Sequence, residues 1–195
     1  MPDHSVIADV SATLRTVLTA GFTLLGGAPP PIAEIHDLSG TIPTNPARLT
    51  LFLFDVVEDV VSRNRAPLQT PVPPSLALQK PPMALLLRYL MTPWSGDRLT
   101  DQRILARTLQ ILYDDAILSG PQLQGGLAGT SQALKIKLVP LDLEERTRVW
   151  HSVQRPYRLS LSYEVRVVNL DSLEVATRPA VRARQLDPAR AVTAP

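Results

Sequence analysis

Apolar positions along this chain change their spacing several times, and each change marks an element. Ile7, Val10, Leu14, Val17 and Leu18 recur at helical spacing behind Ser5, a natural N-cap, so a helix is predicted over residues 5–20. Gly21, Gly26-Gly27 and the prolines at 29–31 end it, and Ile32–His36 then reads as a short strand. Leu49–Val57 carries aliphatic and aromatic side chains in one short run, as a central strand does, with Asp55, Glu58 and Asp59 expected where it emerges at the sheet edge. Residues 62–82 hold six prolines and few apolar positions and read as a long loop. Met83–Met91, inside the proline-bounded segment Pro81–Trp94, is too short to cross a bilayer and too continuous to be half exposed, so it reads as a strand buried on both faces.

Beyond it, Asp97 and Thr100 offer caps, and Ile104, Leu105, Leu109, Leu112 and Tyr113 extend a helix to about Leu118 that should cover one face of the sheet. Leu134–Leu138 alternates as a half-exposed strand. Asp142 and Glu145 sit at capping-box spacing before a short helix ending near Trp150. Leu159, Leu161, Tyr163, Val165 and Val167 alternate with Ser160, Ser162, Glu164 and Arg166, the strongest strand signal in the chain. Residues 178–195, with four arginines, three prolines and little periodicity, read as a tail. The organisation expected is a domain over 1–170 and an extended C-terminal tail over 171–195.

Composition narrows the function classes. The 195 residues suffice for one domain with its own core, and the absence of cysteine removes disulfides, thiolate metal sites and cysteine nucleophiles together. A formal net charge of +2 is too small for an electrostatic footprint on nucleic acid. The segment Met1–Ser5 has no basic n-region and no apolar h-region follows, so no signal peptide is expected. Nineteen prolines, roughly twice the usual share of about 5%, stiffen the connections.

The candidate chemistry is sparse. His4, His36 and His151 share no ligand spacing, and no metal or cofactor site is expected. Asp55, Glu58 and Asp59 could pair for acid-base work, but no nucleophile motif accompanies them, and a solvated strand end is the plainer reading. The glycines at 125, 126 and 129 lack the Lys-Ser/Thr of a phosphate-binding loop. Ser160 and Ser162 have no evident base. Asp114-Asp115, at a helix end where negative charge is disfavoured, could meet a positive partner or simply be solvated. Trp94 and Trp150 fall at element ends near arginines, which fits either interface anchors or partial burial in the core. For the tail arginines an acidic protein surface is a better expectation than nucleic acid, because no aromatics are interleaved with them.

Four segments in order carry a resemblance: Ile7–Arg15, Leu51–Asp59 with Arg63 and Arg65, Pro81–Thr92, and Trp150 followed by Tyr157–Tyr163. Together they resemble the N-terminal domain of tail terminator, or cap, proteins of extracellular contractile injection systems, over roughly residues 5–170. No single segment is specific; the ordered set is. Some relatives carry a further C-terminal domain where this chain has the arginine-bearing tail.

The resemblance implies an α/β (α+β) domain with a mixed β-sheet flanked by helices. It implies a non-enzymatic bacterial protein assembled as a homohexameric ring that closes the distal end of the inner tube and contractile sheath, ending polymerisation and holding the sheath extended. The implied partners are copies of itself, sheath protein and inner-tube protein, with no nucleic acid and no membrane. The implied location is assembly in the cytoplasm as part of a particle that is released. Arg63, Arg65, Trp94, Trp150, Arg178, Arg182 and Arg184 are the expected subunit or partner contacts, and the Tyr157–Val168 strand the expected open edge for strand addition. The alternatives are a small nucleic-acid-binding or hydrolytic α/β domain.

Overall fold

A computed structural model describes residues 4–26, 29–62, 65–72 and 75–179. The chain divides into two compact units, Met1–Asn64 with Pro82–Asp171, and Arg65–Pro81 with Ser172–Pro195. The first is built on a six-stranded sheet in the order β1-β2-β5-β8-β7-β6, formed by β1 (Ile32–Ile35), β2 (Arg48–Glu58), β5 (Met83–Trp94), β6 (Ile117–Ser119), β7 (Ala133–Leu138) and β8 (Leu161–Leu170). The β1–β2 pair is parallel and the other pairs are antiparallel, so the sheet is mixed. The expected fold class, a mixed sheet flanked by helices, is what the chain forms.

Helices α1 (Val6–Phe22) and α2 (Arg98–Asp114) cover one face. Val6, Val10, Leu14, Leu18 and Phe22, four residues apart, make the buried stripe of α1, no more than 1% exposed, against Leu49 and Leu51 of β2 and Leu87, Tyr89 and Met91 of β5. Gly21 lets α2 approach: a Cβ there would lie 2.4 Å from Ile111 Cδ1. Asp97 caps α2 by accepting from Thr100 N–H at 2.8 Å. Ser5 does not cap α1; its Oγ donates to Asp9 Oδ2 at 2.7 Å, and the same carboxylate oxygen accepts from Gly126 N–H at 3.0 Å. Asp9 thereby ties the first turn of α1 to the 125–127 turn.

The opposite face is covered by α3 (Leu143–Ser152) and the 36–47 connection. Asp142 and Glu145 form the expected capping box. Leu38, Ile42, Leu90, Trp94 and Trp150 make a second core there, flanked by Phe52 and Phe54. Coverage on both faces is why β5 is buried along nearly its whole length, as its uninterrupted apolar run requires.

Several expectations need correction. The α2 helix stops at Asp114 rather than Leu118, because Ala116 C=O accepts from Ile136 N–H at 2.8 Å and residues 117–119 join β7 as a strand. The Tyr157–Val168 segment is not an open edge: β8 lies between β5 and β7, and β1 and β6 are the edges. Asp59 is not solvated at a strand end; it is 7% exposed and accepts from Val61 N–H and Ser62 Oγ. The 62–82 stretch contains β3 (Leu68–Val72) and β4 (Ser75–Gln79), which form the second unit's antiparallel sheet with β9 (Val175–Pro179), so part of the stretch read as tail is a strand.

Candidate assembly surfaces

Ionisable side chains converge most densely on the sheet's second face. Asp55 on β2, Arg88 on β5, Glu164 on β8 and Lys137 on β7 are direct cross-strand partners in one row. Arg88 Nη1 donates to Asp55 Oδ2 at 3.2 Å, and Arg88 Nε lies 3.6 Å from Glu164 Oε2. Arg166 Nε donates to Glu164 Oε1, and that bond holds the Arg166 guanidinium above its usual pKa, with the Glu164 and Asp59 charges adding to it. Glu164 is 3% exposed. Charges alternate along the row, and Asp55, Arg88 and Glu164 are ion-paired, with Arg166 joining Glu164, which suits a lock on strand register rather than proton transfer. Burial pushes the Tyr89 and Tyr163 hydroxyls up to about 12, so neither serves as a base near neutral pH. Among the described residues no group of three His, Asp or Glu side chains could hold a metal ion. Ser160 Oγ shares a hydrogen bond with Thr92 Oγ1 at 2.9 Å on the neighbouring strand.

The tryptophans lie inside the chain. Trp94 is 7% and Trp150 1% exposed, both in the second core. Trp94 Nε1 donates to Thr50 Oγ1 at 3.0 Å, and Arg158 stacks over the indole at 4.1 Å while donating to Asp101 Oδ2 at 3.0 Å. Nothing in the spacing of residues 94, 101 and 158 announces this cluster. Arg65 is exposed. Arg178 lies on β9, paired with Leu76. Arg63, Arg182 and Arg184 lie outside the described residues.

Two surfaces went unremarked in the sequence. Val56, Val57, Val60 and Val61 are exposed in succession where β2 ends. On the face covered by α1 and α2, Leu109 and Tyr113 of α2, Ala116, Ile136, Lys137 and Leu138 of β7, and Tyr163 line a groove of about 460 Å3. Tyr113 is 85% exposed. The signal for the groove was present in the sequence, since Leu109 and Tyr113 widen the apolar stripe of α2 beyond what a single sheet face can cover.

The edges themselves are blunted. Ile32 N–H donates to Ala47 C=O, just before β2, and His36 N–H to Leu51 C=O on it, which turns Ala33 N–H outward, and Thr19 Oγ1 on α1 accepts from it at 3.0 Å. At β6, only three residues long, Ser119 N–H donates to Gln122 Oε1. Among the described residues no helix is long and apolar enough to cross a membrane.

This fold recurs in solved structures. The chain is similar to the sheath/tube terminator, in the extended state, of the PVC extracellular contractile injection system, with a TM-score of 0.61 and 19% identity over 94% of this chain and 65% of that one. It is also similar to the tube-terminating cap of the anti-feeding prophage, with a TM-score of 0.60 and 18% identity over 93% of this chain and 61% of that one. The chain thus spans less than two thirds of the length of either. Comparison with proteins of curated function finds no match. The model of the Pvc16 N-terminal domain matches residues 9–183, nearly the whole sequence, and the chain belongs to that family.

Proposed function

We propose that this chain is a structural tail terminator: a ring-forming subunit that caps the inner tube and sheath of a contractile injection particle, ends their polymerisation and holds the sheath extended. The observation that carries the reading is the family match over residues 9–183, with a fold shared along 94% of the chain with a sheath/tube terminator. The chemistry supports it, because Asp55, Arg88, Glu164 and Arg166 neutralise one another and the buried Tyr89 and Tyr163 hydroxyls are held protonated.

The ring is a homohexamer in this reading. A closed ring needs two different patches on each subunit, and the groove beside α2, the valine-rich end of β2 and the basic segments near Arg65, Arg178, Arg182 and Arg184 are available for that. The partners are copies of the chain, tube protein and sheath protein, with assembly in a bacterial cytoplasm before release. Light scattering with and without tube and sheath proteins tests the reading, and a monomeric mass under every condition would count decisively against it. Salt-sensitive retention on both heparin and DNA columns would favour the nucleic-acid alternative. Loss of a hydrolytic activity on substituting Asp55 and Glu58 would favour the enzymatic one.

A further inference from the structure

The residue just past β1 holds the turn that follows it. His36 Nδ1 accepts from Leu38 N–H at 2.8 Å, with the imidazole 19% exposed. A ring nitrogen that accepts carries no proton, so the bond exists only in the neutral imidazole with its proton on Nε2. Leu38 needs such support, because its φ of +63° lies in the left-handed region, where Cβ crowds a carbonyl oxygen. That backbone places the Leu38 side chain, 0% exposed, in the second core beside Ile42, Leu90, Trp94 and Trp150.

A negative charge lies beside the ring. Asp37 Oδ1 is 3.4 Å from His36 Nδ1 and accepts from Ser39 N–H at 2.9 Å and from Ser39 Oγ at 2.7 Å. The bonds from Ser39 hold the Asp37 carboxyl below its usual pKa, and the His36 charge adds to the effect. Asp37 is therefore ionised throughout the range in which histidines titrate. Charged groups on the packed elements are engaged with other partners. Glu34 on β1 pairs with Arg48 on β2, Glu144 with Arg148 on α3, and Arg155, just past α3, donates to Gly40 C=O. His151 on α3 is exposed.

We propose that the 36–40 turn is an acid-released clasp on the second core. Above the histidine range Nδ1 offers its lone pair to Leu38 N–H, and the clasp is shut. A proton on Nδ1 turns the acceptor into a donor. Two N–H groups then face each other, Leu38 loses the bond that supports its left-handed backbone, and the imidazolium turns to Asp37 Oδ1. The shut form excludes a proton that the open form takes up, so its stability is present at high pH and is lost as pH falls from about 8 to 5. Release is local, because Arg155 on Gly40 C=O and Ile42 in the core fix the far end of the turn. The clasp goes beyond the ring reading and stands independently of it.

Both tryptophans of the chain lie in this core, so they report on it directly. Tryptophan emission of the full-length protein is followed from pH 8 to 5, together with hydrogen–deuterium exchange of the peptide spanning 36–42, corrected for the intrinsic pH dependence of exchange. In the wild type, protection should fall about five- to tenfold, the usual net contribution of one hydrogen bond, and emission should change over the same pH range. His36→Asn offers Oδ1 to the N–H two residues on and takes up no proton, so both readouts should stay within about twofold of their values at pH 8. His36→Ala has no acceptor and should be as weakly protected at pH 8 as the wild type is at pH 5. Wild-type protection that is constant between pH 8 and 5 overturns the proposal. So does a transition that persists in His36→Asn, which would place its origin in another group such as His151, or a His36→Ala variant as well protected as the wild type at pH 8.

Discussion

Neutralising Glu164 should destabilise the fold through two arginines at once. Its carboxylate is 3% exposed and accepts from Arg166, while Arg88 Nε, itself buried without a hydrogen-bond partner, lies 3.6 Å away. A hydrogen bond to a charged group contributes about 1.5–3 kcal/mol, and breaking a fully buried pair costs about 3–5 kcal/mol. Both arginine side chains are 39% exposed, so water screens part of that loss. Glu164→Gln, which keeps the shape and removes the charge, should therefore cost about 2 kcal/mol, or roughly 4–8 °C in Tm for a chain of this size. Urea unfolding followed by tryptophan fluorescence is the assay, since both tryptophans are buried in the adjacent core. In a double-mutant cycle the loss should shrink when Arg88 and Arg166 are both replaced by Met. A loss below about 0.5 kcal/mol, or an unchanged loss in that background, would refute the register-lock argument.

Further expectations follow from individual contacts. Gly21→Ala places a Cβ 2.4 Å from Ile111 Cδ1 and should cost about 1–3 kcal/mol by overpacking, read from the urea midpoint. Ile111→Ala in the same chain should recover part of it. Trp94→Leu removes the bond to Thr50 and the surface on which Arg158 stacks, and should cost about 2–4 kcal/mol by the same assay, whereas Arg155→Ala, whose guanidinium is 5.7 Å from the ring, should cost under about 1 kcal/mol. Tyr89 makes stability fall with alkali. Its folded-state pKa of about 12 exceeds the unfolded value near 10, so the folded state retains a proton that the unfolded state loses, and stability present below pH 10 declines between pH 10 and 12. The decline approaches about 1.4 kcal/mol per pH unit, and urea midpoints across that range should be flatter for Tyr89→Phe than for the wild type.

The sequence was most readable where a single side chain's environment decides its pattern. The continuous run at 83–94 could be satisfied only by burial on both faces, and Asp142 and Glu145 announce a helix start because their bonds are local. Long-range pairing was hidden. The β3–β4 hairpin lies under six prolines, and its third strand, β9, is supplied by residues 175–179, about a hundred positions later. The alternation over 159–167 fits polar side chains that face either solvent or a neighbouring strand, and the fold decides it: Ser160, Ser162 and Glu164 are all buried, Ser160 against Thr92 and Glu164 in the arginine row. Burial of polar groups with partners leaves the same pattern as exposure. On the surface, Leu109 and Tyr113 read as part of the helix face that covers the sheet but line an open groove instead, and the join of Arg158 to Trp94 and Asp101 is made only by the fold.

The central claim, that this chain terminates a tube and sheath by closing a ring, is tested most directly by mixing the purified protein with polymerising tube and sheath proteins and imaging the products by electron microscopy. The account predicts a ring of this protein at one end of each tube and a narrowing of the length distribution as its concentration rises. Tubes of unchanged length with no added density at either end would contradict it.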